Sequence, residues 1–349
     1  MLEPLLNRIG PIDSEAKRRA LERQKNLTKP TGALGDLEHL SVRLAGVFGT
    51  EKPDPRGIAV IVCAADHAVA LEGVSAYPQV VTMGMVYNFL SGGAAVSVLA
   101  RGVGARVTVL NAGVMGTLED APRLVNRPVK AGAANIKLEA AMTLSECLQA
   151  ILLGAEVARN EIALGADFLI AGEMGIGNTT PAAAITARLL SLEVRAVTGR
   201  GTGLDDSALE HKIRVIETAL SRSSTVDPLE VLCQFGGLEI AAMVGVMLEG
   251  AASQKAVLLD GFIAGAAALV ADALSEHFRE YLFASHLSAE GGHSRQLEFL
   301  GLEPLLKLNM RLGEGSGAVL CAPLLLGAAA TLREMATFTE ASVEDKAQD

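Results

Sequence analysis

Glu314 stands between two glycines in the run RLGEGSGA (311–318), immediately ahead of an apolar helical pattern. Small neighbours leave a carboxylate accessible, and a general base must reach its proton before its pKa matters. Spacing alone does not separate that role from an ordinary surface-loop glutamate. Two other glycine-rich runs carry a clearer signal. GEMGIGNTT (172–180) joins a strand pattern to a helix opened by Asn178, Thr179 and Thr180, with Pro181 suited to its first turn. Free N–H groups and the helix dipole at such a start attract phosphate. GRGTGLDD (199–206) opens another helix capped by Asp205 or Asp206, with Lys212 about two turns in. A nest of backbone N–H groups beside a lysine suits a phosphate monoester. Neither run is GxxxxGK[ST] or a GxGxxG after a first strand, which disfavours a P-loop hydrolase and a dinucleotide site. One or both can serve a mononucleotide.

Two further segments are polar without a decisive pattern. ASHLSAEGGH (284–293) holds His286, Glu290 and His293, but no HExxH or cysteine partner accompanies them. A hydrogen-bonded turn is therefore the better reading than a metal site. DHAVALEGVSAYP (66–78) is a loop of ligand-sized length ahead of a helix containing NFLSGGAA. Such loops shape pockets in some folds and are merely structural in others.

These groups need elements to position them. The β-branched run RGIAVIVCAAD (56–66) predicts a fully buried strand, and further strand patterns lie at 106–110, 167–171, 255–259 and 281–284. Helical patterns fall at 13–27, 36–48, 80–101, 143–164, 180–190, 205–221, 228–249, 294–300 and 318–338, with a frayed tail beyond. Apolar strands alternating with helices predict a doubly wound α/β fold whose parallel sheet is covered on both faces. Residues 51–317 form this domain. Residues 1–50 supply the helical segment of a smaller domain, and residues 318–349 a C-terminal helix and tail that pack with it. Ligands gather at the carboxyl ends of strands in such sheets. Here those ends meet Asp66, His67, Asn111, Glu173, Asp260, Ser285 and His286, which together describe a polar crevice.

Composition narrows the partners. Among 349 residues half are hydrophobic but only 3% aromatic, with no Trp, so the core is built from Ala, Val, Leu, Ile and Met. A formal charge of −10 argues against nucleic acid, which needs a basic face. The one basic run, KRRALERQK (17–25), reads as a solvated helix face. Cys63, Cys147, Cys233 and Cys321 are scattered without a CxxC pair, as in a reduced cytoplasmic protein. The start, MLEPLLNRIGPID, carries acidic residues and a proline where a secretion signal needs a basic end and an apolar run. The most apolar stretch, 256–274, is interrupted by Asp260 and Asp272, so a buried strand and helix are expected there and no membrane span anywhere.

Taken in order with FGGLEIAAM (235–243) and DGF (260–262), these segments closely resemble the nicotinate-nucleotide:dimethylbenzimidazole phosphoribosyltransferase family, from about residue 29 to 335. The resemblance implies a homodimer with a Rossmann-like large domain and a small helical one, and no metal or cofactor. It implies that Glu314, in the GEGSG motif, is the general base. It further implies that Gly175, Gly177, Gly201, Gly203 and Lys212 contact the phosphate, with Asn178, Thr202 and Ser75 also binding substrate. Glu173 is a secondary polar group near the ribose or the bases. One departure stands out: family members commonly place Gln before the Met of the Met-Val-x-Asn-Phe segment, whereas Gly84 precedes Met85 here. That change reshapes the expected base pocket.

The expected reaction moves the ribose phosphate of nicotinate mononucleotide to a benzimidazole-type base. Its leaving group is a pyridinium, so no pyrophosphate needs a magnesium clamp. Transfer to a different aromatic base or a phenol, or nucleotide binding without turnover, are the rival readings.

Overall fold

The computed structural model describes residues 1–344. The chain opens with α1 (Glu3–Leu6), α2 (Ser14–Asn26) and α3 (Asp36–Val47). Strand β1 (Gly57–Ala65) leads through a 3-10 turn, Ala68–Glu72, to α4 (Val81–Ser91) and α5 (Ala95–Val103). Next come β2 (Arg106–Gly113), β3 (Leu124–Asn126), α6 (Leu144–Ala163) and β4 (Ala166–Met174). Five helices follow: α7 (Thr179–Leu190), α8 (Val194–Val197), α9 (Asp206–Ser221), α10 (Pro228–Phe235) and α11 (Leu238–Ala252). The described chain closes with β5 (Ala256–Leu259), α12 (Phe262–Leu274), β6 (Leu282–Ala284), α13 (Gly292–Leu300), α14 (Ser316–Glu334) and α15 (Phe338–Ala341).

The strands form one six-stranded parallel sheet in the order β3-β2-β1-β4-β5-β6. The chain builds outward from β1 to β3, then returns to place β4 on the other side of β1. That reversal leaves a crevice beyond the carboxyl ends of β1 and β4. Both alternating side-chain sets of β1 are buried, so helices cover both faces of the sheet, as its unbroken apolar run predicts. Helices α6 and α11 pack tightly together against β1, β2 and β4. Side chains at Gly154 or Gly245 would overlap the backbone of the facing helix, at Ala242 and Ile151 respectively. This close approach explains why the core is rich in Gly and Ala and poor in aromatics.

Two helical patterns divide. The 80–101 pattern splits because Gly92, at φ 79°, closes α4 before the chain restarts at Ala95. The 228–249 pattern splits at Gly236 and Gly237, where the backbone lies so close to His67 that a side chain on Gly237 would collide with the imidazole. Strand β3 escapes the sequence reading because three half-buried residues are too short for a period. The basic run is not wholly solvated: Arg23 is buried, and its Nε and Nη2 donate to the Leu332 and Met335 carbonyls at 2.8 Å each. These bonds tie α2 to α14, which also packs on α3. Two stretches, Val81–Val103 and Ser316–Glu334, are long and apolar enough to cross a bilayer by length and composition, which the sequence reading does not flag. The second packs against α3, α5, β4 and β5. The four cysteines are free and buried.

Candidate active site

A cavity of about 540 Å³ opens where the loops after β4, β5 and β6 meet the 311–314 loop. Glu173, Asp260 and His286 bring three of the polar strand ends to its wall. Asp66, His67, Asn111 and Ser285 are buried without lining it.

Glu314 is on that wall and only 5% exposed. Its backbone is held in an unusual shape, with positive φ at three successive residues: Gly313 (85°), Glu314 (64°) and Gly315 (90°). Its carbonyl presses on Gly172, where any side chain would overlap it. Asp260 fixes the far side of the loop, accepting from the N–H groups of Gly315 (3.1 Å), Gly317 (2.8 Å) and Ala318 (3.0 Å). Those are N–H groups at the start of α14, which lack intrahelical partners. The Glu314 carboxylate accepts from Val96 N–H (3.1 Å) at the start of α5. Burial and then the nearby Asp260 charge push its pKa up, with only the Val96 bond opposing. A carboxylate raised toward neutrality is a stronger proton acceptor than an ordinary one. Glu173 accepts from Glu314 N–H (3.3 Å) and from the Asn178 side chain. Burial pushes its carboxyl up to about 8, far above the usual carboxylate range.

Gly175, Gly177, Asn178, Gly201 and Thr202 line the same cavity, as does Ser75. The two glycine-rich loops thus meet across one space. Lys212 is fully buried behind them, donating to Thr179 Oγ1 at 2.7 Å and to the Gly199 carbonyl at 3.4 Å. Burial pulls its pKa down to about 8. Asp205, rather than Asp206, caps α9 by accepting from Ala208 N–H (2.8 Å). Thr202 Oγ1 accepts from Ala76 N–H (2.9 Å), which joins the 66–78 loop to the 199–206 loop over the mouth. Gly203 lies instead on an adjoining cavity of about 440 Å³. Gly84 lines neither: it is exposed on α4, and a Cβ there would meet nothing within 4 Å. Val81 and Met85, four residues apart on the same helix, face the cavity in its place.

Sequence reading misses several wall residues. Arg311 lines both cavities and donates to the Gly201 carbonyl (2.9 Å), tying the Glu314 loop to the glycine-rich loop. Leu312, Ser288 and Glu290 also face the space. Their signal was adjacency to GEGSG and membership of the 284–293 turn, neither of which fixes a direction. Within that turn, Ser288 N–H donates to His293 Nδ1 (2.9 Å), and burial lowers the His293 pKa to about 3. Beneath the floor, His67 Nε2 lies 2.7 Å from Glu239. Burial disfavours its charge, but Glu239 outweighs this and raises the His67 pKa.

Residues 9–343 match the family model described as Phosphoribosyltransferase. The nicotinate-nucleotide–dimethylbenzimidazole phosphoribosyltransferase of Deinococcus radiodurans is 58% identical over 348 residues, covering 98% of this chain and 95% of that protein. The protein of that name from Chloroflexus aurantiacus is 50% identical, with 99% of each chain covered. A crystal structure so titled, from Thermus thermophilus, superposes with a TM-score of 0.92 at 49% identity, covering 96% of this chain and all of that one. With sequence and fold agreeing along nearly the whole length, the chain belongs to the nicotinate-nucleotide–dimethylbenzimidazole phosphoribosyltransferase family.

Proposed function

We propose that this protein transfers the phosphoribosyl group of nicotinate mononucleotide to 5,6-dimethylbenzimidazole or a related base. The products are nicotinate and α-ribazole 5′-phosphate, a precursor of the cobalamin lower ligand. One observation carries the reading: a buried Glu314 carboxylate shares a cavity wall with two glycine-rich loops backed by Lys212. The loops and Lys212 hold the phosphate, with Gly203 acting from the adjoining cavity. As the C1′–N bond breaks, its electron pair returns to the nicotinate nitrogen. A benzimidazole nitrogen attacks C1′ from the opposite ribose face, so holding the two rings on opposite faces contributes alongside proton removal. Glu314 takes the proton from the other ring nitrogen. Glu173 and Asp260 hold the backbone around Glu314, and Val96 N–H holds its carboxylate.

Incubation with nicotinate mononucleotide and a panel of bases, followed by mass spectrometry, tests the reaction. Glu314→Gln should lower turnover by about 10²- to 10⁴-fold with little loss of binding. Wild-type turnover in that variant would remove Glu314 from the role. Run on Gly84→Gln, the same panel reads whether position 84 selects the base. We place the enzyme in the cytoplasm, with residues 1–50 and the described part of 318–349, up to residue 344, as its small domain. It acts as a homodimer, a reading supported by the apolar side chains that Val80, Tyr87 and Val98 expose along α4 and α5.

A further inference from the structure

Where the two cavities meet, one carboxylate has the buried Lys212 ammonium as a nearby countercharge but a buried oxygen without a hydrogen-bond donor. Glu290 lines both and is only 6% exposed. Its Oε2 is buried and receives no hydrogen bond among the described residues. The carboxylate lies against Gly199, where any side chain would overlap it. Its backbone is fixed on both sides, by Glu290 N–H to Ser288 Oγ (3.3 Å) and His293 N–H to the Glu290 carbonyl (3.0 Å). Lys212 donates to the carbonyl of that same Gly199, which puts Glu290 beside the phosphate end of the cavity. A buried carboxylate oxygen without a donor is costly, and a ligand that brings one offsets that cost.

The chemistry of the substrates leaves few candidates. Nicotinate mononucleotide has no N–H donor, and its carboxylate and phosphate repel another carboxylate. Its donors are the two ribose hydroxyls. The single N–H of the benzimidazole is directed to Glu314. The ribose must also bridge the phosphate loops and the transfer centre at Glu314, and Glu290 lines the cavity that both share. Carboxylates accept from ribose hydroxyls in other nucleotide sites for the same reason. We propose that Glu290 accepts a hydrogen bond from a ribose hydroxyl of the bound mononucleotide and so selects ribose over deoxyribose.

This inference rests on the mononucleotide reading, and its test separates the two. Calorimetric titration without an acceptor base would compare nicotinate mononucleotide with its 2′-deoxy and 3′-deoxy analogues on wild type, Glu290→Ala and Glu290→Gln. Wild type should bind the ribonucleotide about 10- to 100-fold more tightly than one of the deoxy analogues, as expected for a hydrogen bond to a charged acceptor. In Glu290→Ala that gap should close. Glu290→Gln keeps the volume and one accepting oxygen, so its gap should shrink without vanishing, which guards against a misfolded alanine variant. A gap unchanged in both variants, or an equal loss for all three ligands, overturns the assignment to a hydroxyl. Wild type that binds none of the three overturns the mononucleotide reading itself, and the Glu290 assignment with it.

Discussion

Lys212 is the residue at which burial and charge pull against each other most plainly. Its ammonium lies in the interior with Thr179 Oγ1 and the Gly199 carbonyl as hydrogen-bond partners, and burial brings its pKa to about 8. A lysine is cationic below its pKa, so the countercharge for phosphate is present at neutral pH and is lost as pH rises through about 8. Nicotinate mononucleotide affinity should therefore fall across that range in wild type, while Lys212→Ala should bind weakly and show much less of this fall. A pH series of titrations checks both, and equal pH dependence in the two proteins would separate Lys212 from the phosphate. Residues like this were legible because glycine-rich runs announce an anion site before any fold is known. Arg311 was not, because a single charge in a loop carries no direction until the strands place it, and Glu290 was legible only as a member of a polar turn. Gly84 illustrates the converse: a departure visible in sequence sits one helical step away from the face that Val81 and Met85 turn to the cavity.

At the scale of elements, the start of α14 and the end of β5 form one unit through Asp260. Asp260→Ala should free the N–H groups of Gly315, Gly317 and Ala318 and let the loop before the helix relax. Stability should fall by about 1–3 kcal/mol, the cost of leaving buried polar groups unmade. Turnover should fall further than the stability loss accounts for, because Glu314 sits one residue from the clamp. A denaturant melt beside a steady-state assay separates the two effects, and full activity in a destabilised variant would show that the clamp does not position the base. Every strand but β3 and most helices could be read from the sequence, since β1 and α6 carry unbroken patterns and α6 has a Thr143–Glu146 capping box. The two divided helices could not. Gly92 and Gly236 sit inside continuous apolar periods, and only the packing around them shows that the chain turns there.

For the whole molecule, the parallel direction of the strands brings the wall-bearing loops after β1, β4, β5 and β6 to one end of the sheet. The sequence announces the fold class through alternation, but not which strands are neighbours, since pairing is a long-range property. The outer face of α4 and α5 bears on assembly, because Tyr87 and Val98 expose large apolar side chains there. Tyr87→Glu should convert a dimer to monomers in size-exclusion chromatography with light scattering, and a wild type that runs as a monomer would dismiss that interface. The shape of the 313–315 loop has a different kind of consequence. Glu314 occupies the left-handed backbone region at φ 64°, which favours glycine, and its carboxylate is disfavoured by burial as well. Relief of the backbone strain should make Glu314→Gly more stable than Glu314→Gln by on the order of 1 kcal/mol, net of glycine's extra unfolded-state entropy. Matching melts would mean the strain does not exceed that entropy. The working enzyme is then less robust than an inactive sibling one substitution away. Selection for heat resistance without an activity assay would discard the catalytic side chain early.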